Sequence, residues 1–265
     1  METILVYLLA GCVSGLISGL FGLGGGVVIV PVLLFVFTAQ GVPAEVMVHM
    51  AVASSLAVII ITSLSSIRAH WKLGGVLWPV ALRLAPGIVV GALLGALIAH
   101  WMSGALLQAV FALFLVVVAV RMGLNLQPPA TGGVPGAIGL SAVGTGIGCL
   151  SAIVGIGGGT MTVPFLSRCR IAMREAVGTS AVCGLPIAVA GTLGFIITGW
   201  GHPQVPAYTS GYVYWPAVAG ITAASIVLAP VGARLAHRLP QVLLRRLFAV
   251  LLAVVAACLL FGVFG

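Results

Sequence analysis

Residues 19–34 read GLFGLGGGVVIVPVLL, and residues 152–166 read AIVGIGGGTMTVPFL. In both stretches adjacent glycines interrupt a long apolar run, and a proline follows shortly after the last glycine. Each glycine disfavours a helix by about 1 kcal/mol relative to alanine. The two stretches therefore predict two broken helices, and we expect the rest of the chain to be arranged around them.

The composition places these broken helices in a membrane. Of the 265 residues, 62% are hydrophobic and 5% are charged, whereas about 25% of the residues of a soluble domain are charged. This excludes a water-soluble enzyme, a nucleic-acid-binding protein and a disordered chain. The partners that we expect are the lipid bilayer and a small substrate.

Apolar runs long enough to cross a bilayer, about 20 residues each, fill most of the chain. Unbroken runs cover residues 45–67, 75–99, 104–122, 175–198, 213–237 and 241–263, and the broken runs cover residues 4–39 and 136–167. Strands of alternating polarity are absent from the sequence, so we predict an all-α integral membrane protein, a polytopic helical bundle.

The basic residues orient the bundle. Most of the 11 lysines and arginines follow or separate alternate spans: Arg68, Lys72, Arg121, Arg168, Arg170, Arg174, Arg234, Arg238, Arg245 and Arg246. If successive spans cross the membrane in alternate directions, and if each broken run begins and ends on the same side, all of these basic residues lie on one face of the membrane. The positive-inside rule assigns that face to the cytoplasm. We expect a multi-pass protein of the cell (inner) membrane.

The two broken runs belong to an internal repeat. A shift of 133 residues aligns their glycines and prolines, a shift of 125 aligns AVASS (51–55) with AVGTS (176–180), and a shift of 137 aligns Trp78-Pro79 with Trp215-Pro216. The repeats are residues 1–122 and 136–265, joined by a linker at 123–135. Each repeat contains a glycine-broken helix pair, which begins and ends on one side, and three single spans. The total number of crossings is therefore odd, so we predict that the two repeats are inverted relative to each other, which is the pattern of secondary transporters.

A glycine break in a membrane helix can bind an anion. The helix that starts after the break presents unpaired N–H groups and the positive end of its dipole. Close packing alone is the alternative, and small-residue helix contacts are expected at Gly11, Gly15, Gly19, Gly91 and Gly95. Pro31 and Pro164 are expected to have a structural role, fixing the kink of the second helix half.

Hydroxyl groups and one arginine complete the predicted substrate site. The hydroxyls lie in repeat-matched positions beside the breaks and on the next span, and Arg83 lies inside the 75–99 run, where a charge is costly. The candidate substrate-binding residues are Gly24, Gly25, Gly26, Gly157, Gly158, Gly159, Ser18, Ser151, Ser54, Ser55, Thr179, Ser180 and Arg83. The alternative for the hydroxyls is a bond to their own helices, and the alternative for Arg83 is that its side chain reaches the headgroups.

The acidic residues favour an anionic substrate. Glu2, Glu45 and Glu175 lie at the chain terminus or at helix starts, and the sequence contains no aspartate. Carriers of protons or metal cations normally use a buried carboxylate, and none is evident. We expect no catalytic residues, no metal and no cofactor. We expect His49 to be a packed or interfacial histidine.

With these residues in view, the chain resembles the TauE/SafE-type sulfite exporter family. The resemblance is carried by GLFGLGGGVVIVPVLL, AIVGIGGGTMTVPFL and the AVASS/AVGTS pair, although Ser54-Ser55 stands where the family usually has Thr-Ser. It implies an inner-membrane protein that moves sulfur-containing anions such as sulfite or sulfonates, with the glycines of both breaks, Pro31 and Pro164 as the family's marked positions.

The sequence thus predicts a secondary transporter of small anions, most plausibly sulfite or organosulfonates, that works by alternating access. A carrier of another small metabolite or of a cation is the main alternative. A non-transporting membrane scaffold and a membrane-embedded enzyme are weaker alternatives, because a scaffold has no use for duplicated breaks and no nucleophile–base pair or metal cluster is evident. The oligomeric state stays open.

Overall fold

The computed structural model describes residues 2–21, 25–124, 132–236, 249–250 and 252–257. Within these residues the helices are α1 (Glu2–Phe21), α2 (Gly26–Ala39), α3 (Ala44–Lys72), α4 (Trp78–Trp101), α5 (Gly104–Gly123), α6 (Ala137–Val154), α7 (Gly159–Arg168), α8 (Met173–Thr198) and α9 (Trp215–Ala236). One antiparallel hairpin joins β1 (Thr209–Ser210) to β2 (Val213–Tyr214).

The predicted fold class is confirmed. Six of the described helices are long and apolar enough to cross a membrane: α3, α4, α5, α6, α8 and α9. Two predicted boundaries shift. The run at 75–99 forms a helix only from Trp78, and the run at 213–237 only from Trp215, because Val213 and Tyr214 pair with β1 instead. The last predicted span, 241–263, lies outside the described residues apart from 249–250 and 252–257.

Both predicted helix breaks are present. The first separates α1 from α2 and the second separates α6 from α7. The N-cap glycines Gly25 and Gly158 have φ angles of 81° and 74°, in the left-handed region that glycine adopts without strain. At Gly25 the chain has already folded back onto α1, since an added Cβ there would lie 2.7 Å from the carbonyl oxygen of Ser14.

The second member of each broken pair is short. Helix α2 has 14 residues and α7 has 10, fewer than the roughly 20 that a full crossing requires. Helix α2 runs antiparallel to α3, to which it is joined by a tight turn at 40–43 in which the N–H of Val42 donates to the carbonyl of Phe37. Each short helix therefore starts inside the bundle and ends at a surface.

Glycines allow two pairs of helices to touch backbone to backbone. In the first pair, Gly11 and Gly15 of α1 lie against Ile221 and Ser225 of α9. In the second, Gly87, Gly91 and Gly95 of α4 lie against α6 at the successive positions Ser141, Thr145 and Cys149. The small-residue contacts predicted at Gly11, Gly15, Gly91 and Gly95 are thus confirmed. In both pairs the residue numbers rise together, so the two helices are parallel.

The remaining contacts fix the directions of the other helices. Helix α3 is parallel to α9, because Ser54 and Ser65 bond to Tyr214 and Ile226. Helix α4 is parallel to α8, because Leu77 bonds to Thr179 and Ala96 lies beside Gly194. Helices α3 and α8 are antiparallel, because Leu56 faces Gly191 whereas Ser63 faces Gly184. Helices α1, α3 and α9 therefore run one way, and α4, α6 and α8 run the other.

The glycine contact between α4 and α6 yields a stability prediction. Replacing Gly91 by Ala drives a Cβ into the backbone at Thr145, and overpacking of this kind typically costs 1–3 kcal/mol. We expect a clear fall in the thermal unfolding midpoint of the purified protein in detergent. Gly146→Ala is the matched control, because no atom lies within 4 Å of its added Cβ. Equal midpoints for the two variants would contradict the packing described.

Candidate functional site

The two glycine breaks meet in the interior of the bundle. A Cβ added at Gly26, the first residue of α2, would collide with the carbonyl oxygen of Gly155 in the second break and lie 3.0 Å from Ile59 of α3. The Ser55 hydroxyl, also on α3, donates to the same Gly155 carbonyl at 2.9 Å. On the other side of the second break, an added Cβ at Gly184 of α8 would lie 2.9 Å from the Gly157 carbonyl oxygen. The breaks thus lie between α3 and α8.

Two repeat-matched serines present unused hydroxyls beside the breaks. Ser18 and Ser151 are 0% and 3% exposed, and within the described residues neither hydroxyl has a hydrogen-bond partner. The Ser151 oxygen lies 3.5 Å from the position of an added Cβ at Gly158. A buried hydroxyl without a partner costs about 1–3 kcal/mol, so a bound ligand or water that accepts from it would recover that free energy.

The starts of α2 and α7 supply further donors. The carbonyl of Gly25 accepts from Val28 and Ile29, and that of Gly158 accepts from Met161 and Thr162. The first N–H groups of each helix, at Gly26 and Val27 and at Gly159 and Thr160, have no intrahelical acceptor. Neither N-cap glycine has a side chain to cap them, and neither first turn contains an acidic residue. Both helix starts can therefore donate to an anion.

Sequence reasoning missed two threonines at the second break. Thr160 and Thr162 of α7 are buried, and their hydroxyls have no partner among the described residues. The 133-residue shift aligns them with Val27 and Ile29 of α2, so the second break is more polar than the first. A comparison of the two aligned stretches for hydroxyls present in only one of them would have found this difference.

Two predicted site residues bond to the starts of other helices. The Ser54 hydroxyl accepts the N–H of Tyr214 at 2.9 Å, and the Thr179 hydroxyl accepts the N–H of Leu77 at 3.0 Å. Tyr214 and Leu77 each precede a Trp-Pro pair that begins a helix. The two bonds are thus equivalent in the two halves and hold α9 and α4 in place. A role of Ser54 and Thr179 in substrate binding stays a prediction.

Ser180 and the two predicted prolines lie within helices. The Ser180 hydroxyl donates to the Val177 carbonyl of its own helix at 2.7 Å. Pro31 and Pro164 lie inside α2 and α7, as expected for a structural role. Gly24 lies outside the described residues.

Arg83 is not brought to the breaks. Its side chain is exposed on α4, and because α4 begins at Trp78 it lies less deep in the span than the sequence suggested. Its carbonyl accepts from the Ser141 hydroxyl, and Ser141 precedes the end of α6 at Val154 by about 20 Å of helix. Direct contact of Arg83 with a ligand at the breaks is therefore only a prediction.

The bundle interior carries no described carboxylate. Among the described residues, the buried polar side chains are those of serine, threonine and histidine. Glu45 and Glu175 lie in the first turns of α3 and α8, where a carboxylate suits the helix dipole. Among the described residues, the polar groups around the breaks are therefore neutral: backbone N–H and carbonyl groups and hydroxyls.

A bundle of helices long and apolar enough to cross a membrane, with two interrupted helices that meet inside it, defines a multi-pass membrane protein. The chain belongs to the sulfite exporter TauE/SafE family, whose model matches residues 7–259. The predicted family resemblance is confirmed.

Relatives of the chain are named as transporters. It is 38% identical over 255 residues to a probable membrane transporter protein of Haemophilus influenzae, covering 96% of each chain. It is 28% identical over 237 residues to the probable membrane transporter protein MJ0441 of Methanocaldococcus jannaschii, covering 84% of this chain and 80% of that one. No solved structure matches the chain.

The anchor at Thr179 can be tested by stability. Thr179→Val leaves the partly buried N–H of Leu77 without its acceptor, at a cost of about 1 kcal/mol or more. We expect a lower thermal unfolding midpoint in detergent. Thr198→Val is the control, since the Thr198 hydroxyl only donates to Gly194 of its own helix and its loss should change the midpoint little. An unchanged midpoint for Thr179→Val would show that this bond does not hold the start of α4.

Proposed function

We propose that this chain is a secondary transporter that carries small sulfur oxyanions, sulfite or organosulfonates, across the membrane by alternating access. The substrate site is formed by the two glycine breaks. The observation that carries the proposal is the pair of buried hydroxyls of Ser18 and Ser151, neither of which has a hydrogen-bond partner within the described residues, together with two uncapped helix starts. Each half thus has its own potential donors, and we infer that the two sets face one ligand.

An inverted repeat is the second part of the proposal. The direction of each helix supports it, because α1, α3 and α9 run opposite to α6, α8 and α4, their counterparts in the other half. Equivalent contacts support it as well, since α1 packs on α9 as α6 packs on α4. A repeat of this kind places a site near the midplane, where the two halves can open to either side in turn.

The chemistry of the site favours an oxyanion over a cation. Backbone N–H groups and hydroxyls donate hydrogen bonds, and the positive ends of α2 and α7 add electrostatic attraction. Sulfite and sulfonates have three oxygens around one sulfur, so one molecule can accept from both halves simultaneously. Hydrogen bonds to a charged group are worth about 1.5–3 kcal/mol each, enough for selective binding with few donors.

Other functions predict different results in the same assay. A carrier of another small metabolite or of a cation would show flux of that solute and no competition by sulfite. A membrane scaffold would show no flux of any solute, and a membrane-embedded enzyme would convert its substrate rather than move it. Uptake of radiolabelled sulfite into proteoliposomes, with protein-free liposomes as the blank, separates these possibilities.

The serine pair provides a direct test of the site. Replacing Ser18 or Ser151 by Ala removes one donor to the charged substrate, and we expect KM for sulfite uptake to rise roughly tenfold or more. Ser14→Ala is the matched control, because Ser14 is equally buried on α1 but its hydroxyl already donates to Gly11. Its KM should stay within about twofold of wild type.

The outcome that would refute this site is equally clear. If the Ser18→Ala and Ser151→Ala variants insert normally and transport sulfite with wild-type KM, the breaks do not bind the substrate through these hydroxyls.

A further inference from the structure

A cluster of histidines surrounds one buried tyrosine at the outer end of the bundle, the face opposite the basic loops. Tyr212, in the turn of the β-hairpin, is 3% exposed. Its ring centroid lies 5.2 Å from that of His49, 6.2 Å from that of His100 and 5.8 Å from that of His202. Its hydroxyl is 3.3 Å from Nδ1 of His100. The hairpin therefore covers the ends of α3 and α4.

His49 is the buried member of this cluster. It is 3% exposed and its ring stacks on Tyr212 at an interplanar angle of 30°. Its Nε2 lies 2.9 Å from the carbonyl oxygen of Ala99 on α4, and its Nδ1 lies 3.2 Å from the carbonyl oxygen of Glu45 on its own helix. Both ring nitrogens thus face acceptors.

This geometry is complete only for the charged ring. A neutral imidazole has one N–H and one lone pair, whereas the imidazolium has two N–H groups. The neutral ring therefore donates to one carbonyl and turns a lone pair towards the other, and one added proton supplies the missing donor. Ala99 lies in the last turn of α4, where the negative dipole end favours a cation, and its carbonyl also accepts the N–H of Met102.

The titratable groups near His49 are two histidines, one tyrosine and one carboxylate. Tyr212 stacks on His49, the rings of His100 and His202 lie beside Tyr212, and Glu45 lies one turn away on α3. Burial raises the pKa of the Tyr212 phenol, so this group stays neutral. The loops at 40–43, 102–103 and 199–214 contain no lysine or arginine.

The repeat supports a cationic donor at this position. The 125-residue shift aligns His49 with Arg174, and the Arg174 guanidinium donates to the carbonyl of Leu73 in the turn between α3 and α4. One half thus has a permanent cation bonded to a carbonyl at the inner face. The other half has a titratable ring bonded to a carbonyl at the outer face.

A chain of contacts connects His49 with the glycine breaks. Tyr212 stacks on His49, Tyr214 of the same hairpin donates its N–H to Ser54, and the adjacent Ser55 donates to Gly155 in the second break. Helix α3 thus contacts both the histidine cluster at its outer end and the second break.

We propose that His49 is a proton-binding site, open to the outer solution when the hairpin moves, and that it couples anion transport to protons. One proton passes from hydronium to the free ring nitrogen and leaves a water molecule, and the ring gains one positive charge. The imidazolium then donates to both carbonyls and fastens α3 to the end of α4. Release of the proton loosens this contact. The coupling, although not the proton site itself, depends on the transport function proposed above.

A direct titration tests the proton site without any substrate. The protein is labelled with 15N-histidine in detergent, and spectra of wild type and His49→Gln between pH 4.5 and 9 assign the His49 ring. We expect its two nitrogens to change from the signature of one N–H and one lone pair to that of two N–H groups. A single tautomer throughout this range would overturn the proposal. Because no substrate is present, this result is independent of whether sulfite is carried.

A gradient experiment tests the coupling. Proteoliposomes are given labelled methanesulfonate, which stays a monoanion, and a gradient of one pH unit. Coupling of one proton to one anion predicts about tenfold accumulation by wild type. In His49→Gln, which can still donate to Ala99, and in His49→Phe, which keeps the stacked ring, accumulation should vanish while downhill flux persists. His202→Gln is the control and should accumulate like wild type. Wild-type accumulation by His49→Gln would overturn the coupling.

Discussion

A backbone N–H group needs an acceptor inside a bilayer, and the two glycine breaks create several such groups in the middle of the bundle. Part of this cost is met locally, because the carbonyls of Gly25 and Gly158 each accept two N–H groups from the helix that follows. The first N–H groups of α2 and α7 have no acceptor within their own helices, and the hydroxyls of Ser18 and Ser151 have no partner within the part of the chain that the structure describes. A ligand that accepts hydrogen bonds would therefore stabilise the fold as it binds, and an oxyanion is the small ligand with the most acceptors for its size.

The close glycine contacts determine where the bundle can move. In the pairs α1/α9 and α4/α6 the backbones touch so tightly that an added Cβ would collide with a carbonyl, and such surfaces are unsuited to sliding. Each pair combines helices from both halves of the sequence, so the halves are interlocked. The antiparallel contact of α3 with α8 is different, because the flexible side chains of Leu56 and Ser63 face glycines there. In the proposed alternating-access mechanism, movement would be most readily accommodated at this contact, beside which the breaks lie.

The helix breaks and the close glycine contacts could be predicted from the sequence, whereas hydrogen bonds between residues far apart in the chain could not. The positions of both breaks, the prolines inside α2 and α7 and the glycine contacts follow from helix propensity and spacing, and all are present in the structure. The partners of Ser54 and Thr179 are residues more than 100 positions away, and no periodicity reveals them. The β-hairpin was missed because strands of two residues leave no alternating pattern. Arg83 was placed too deep because apolar residues before Trp78 extend the run but not the helix.

The two halves share a backbone plan but differ in their side chains, and in a transporter this difference makes the outward-open and inward-open forms unequal in free energy. If the halves were identical, the two forms would be related by a two-fold axis and equal in free energy. Thr160 and Thr162 replace two aliphatic residues at one break only, and a titratable His49 stands where the other half has Arg174. Each difference stabilises one form more than the other, and the free energy of the second depends on the pH of one compartment only. The repeat thus supplies the site, and the departures from the repeat supply the bias.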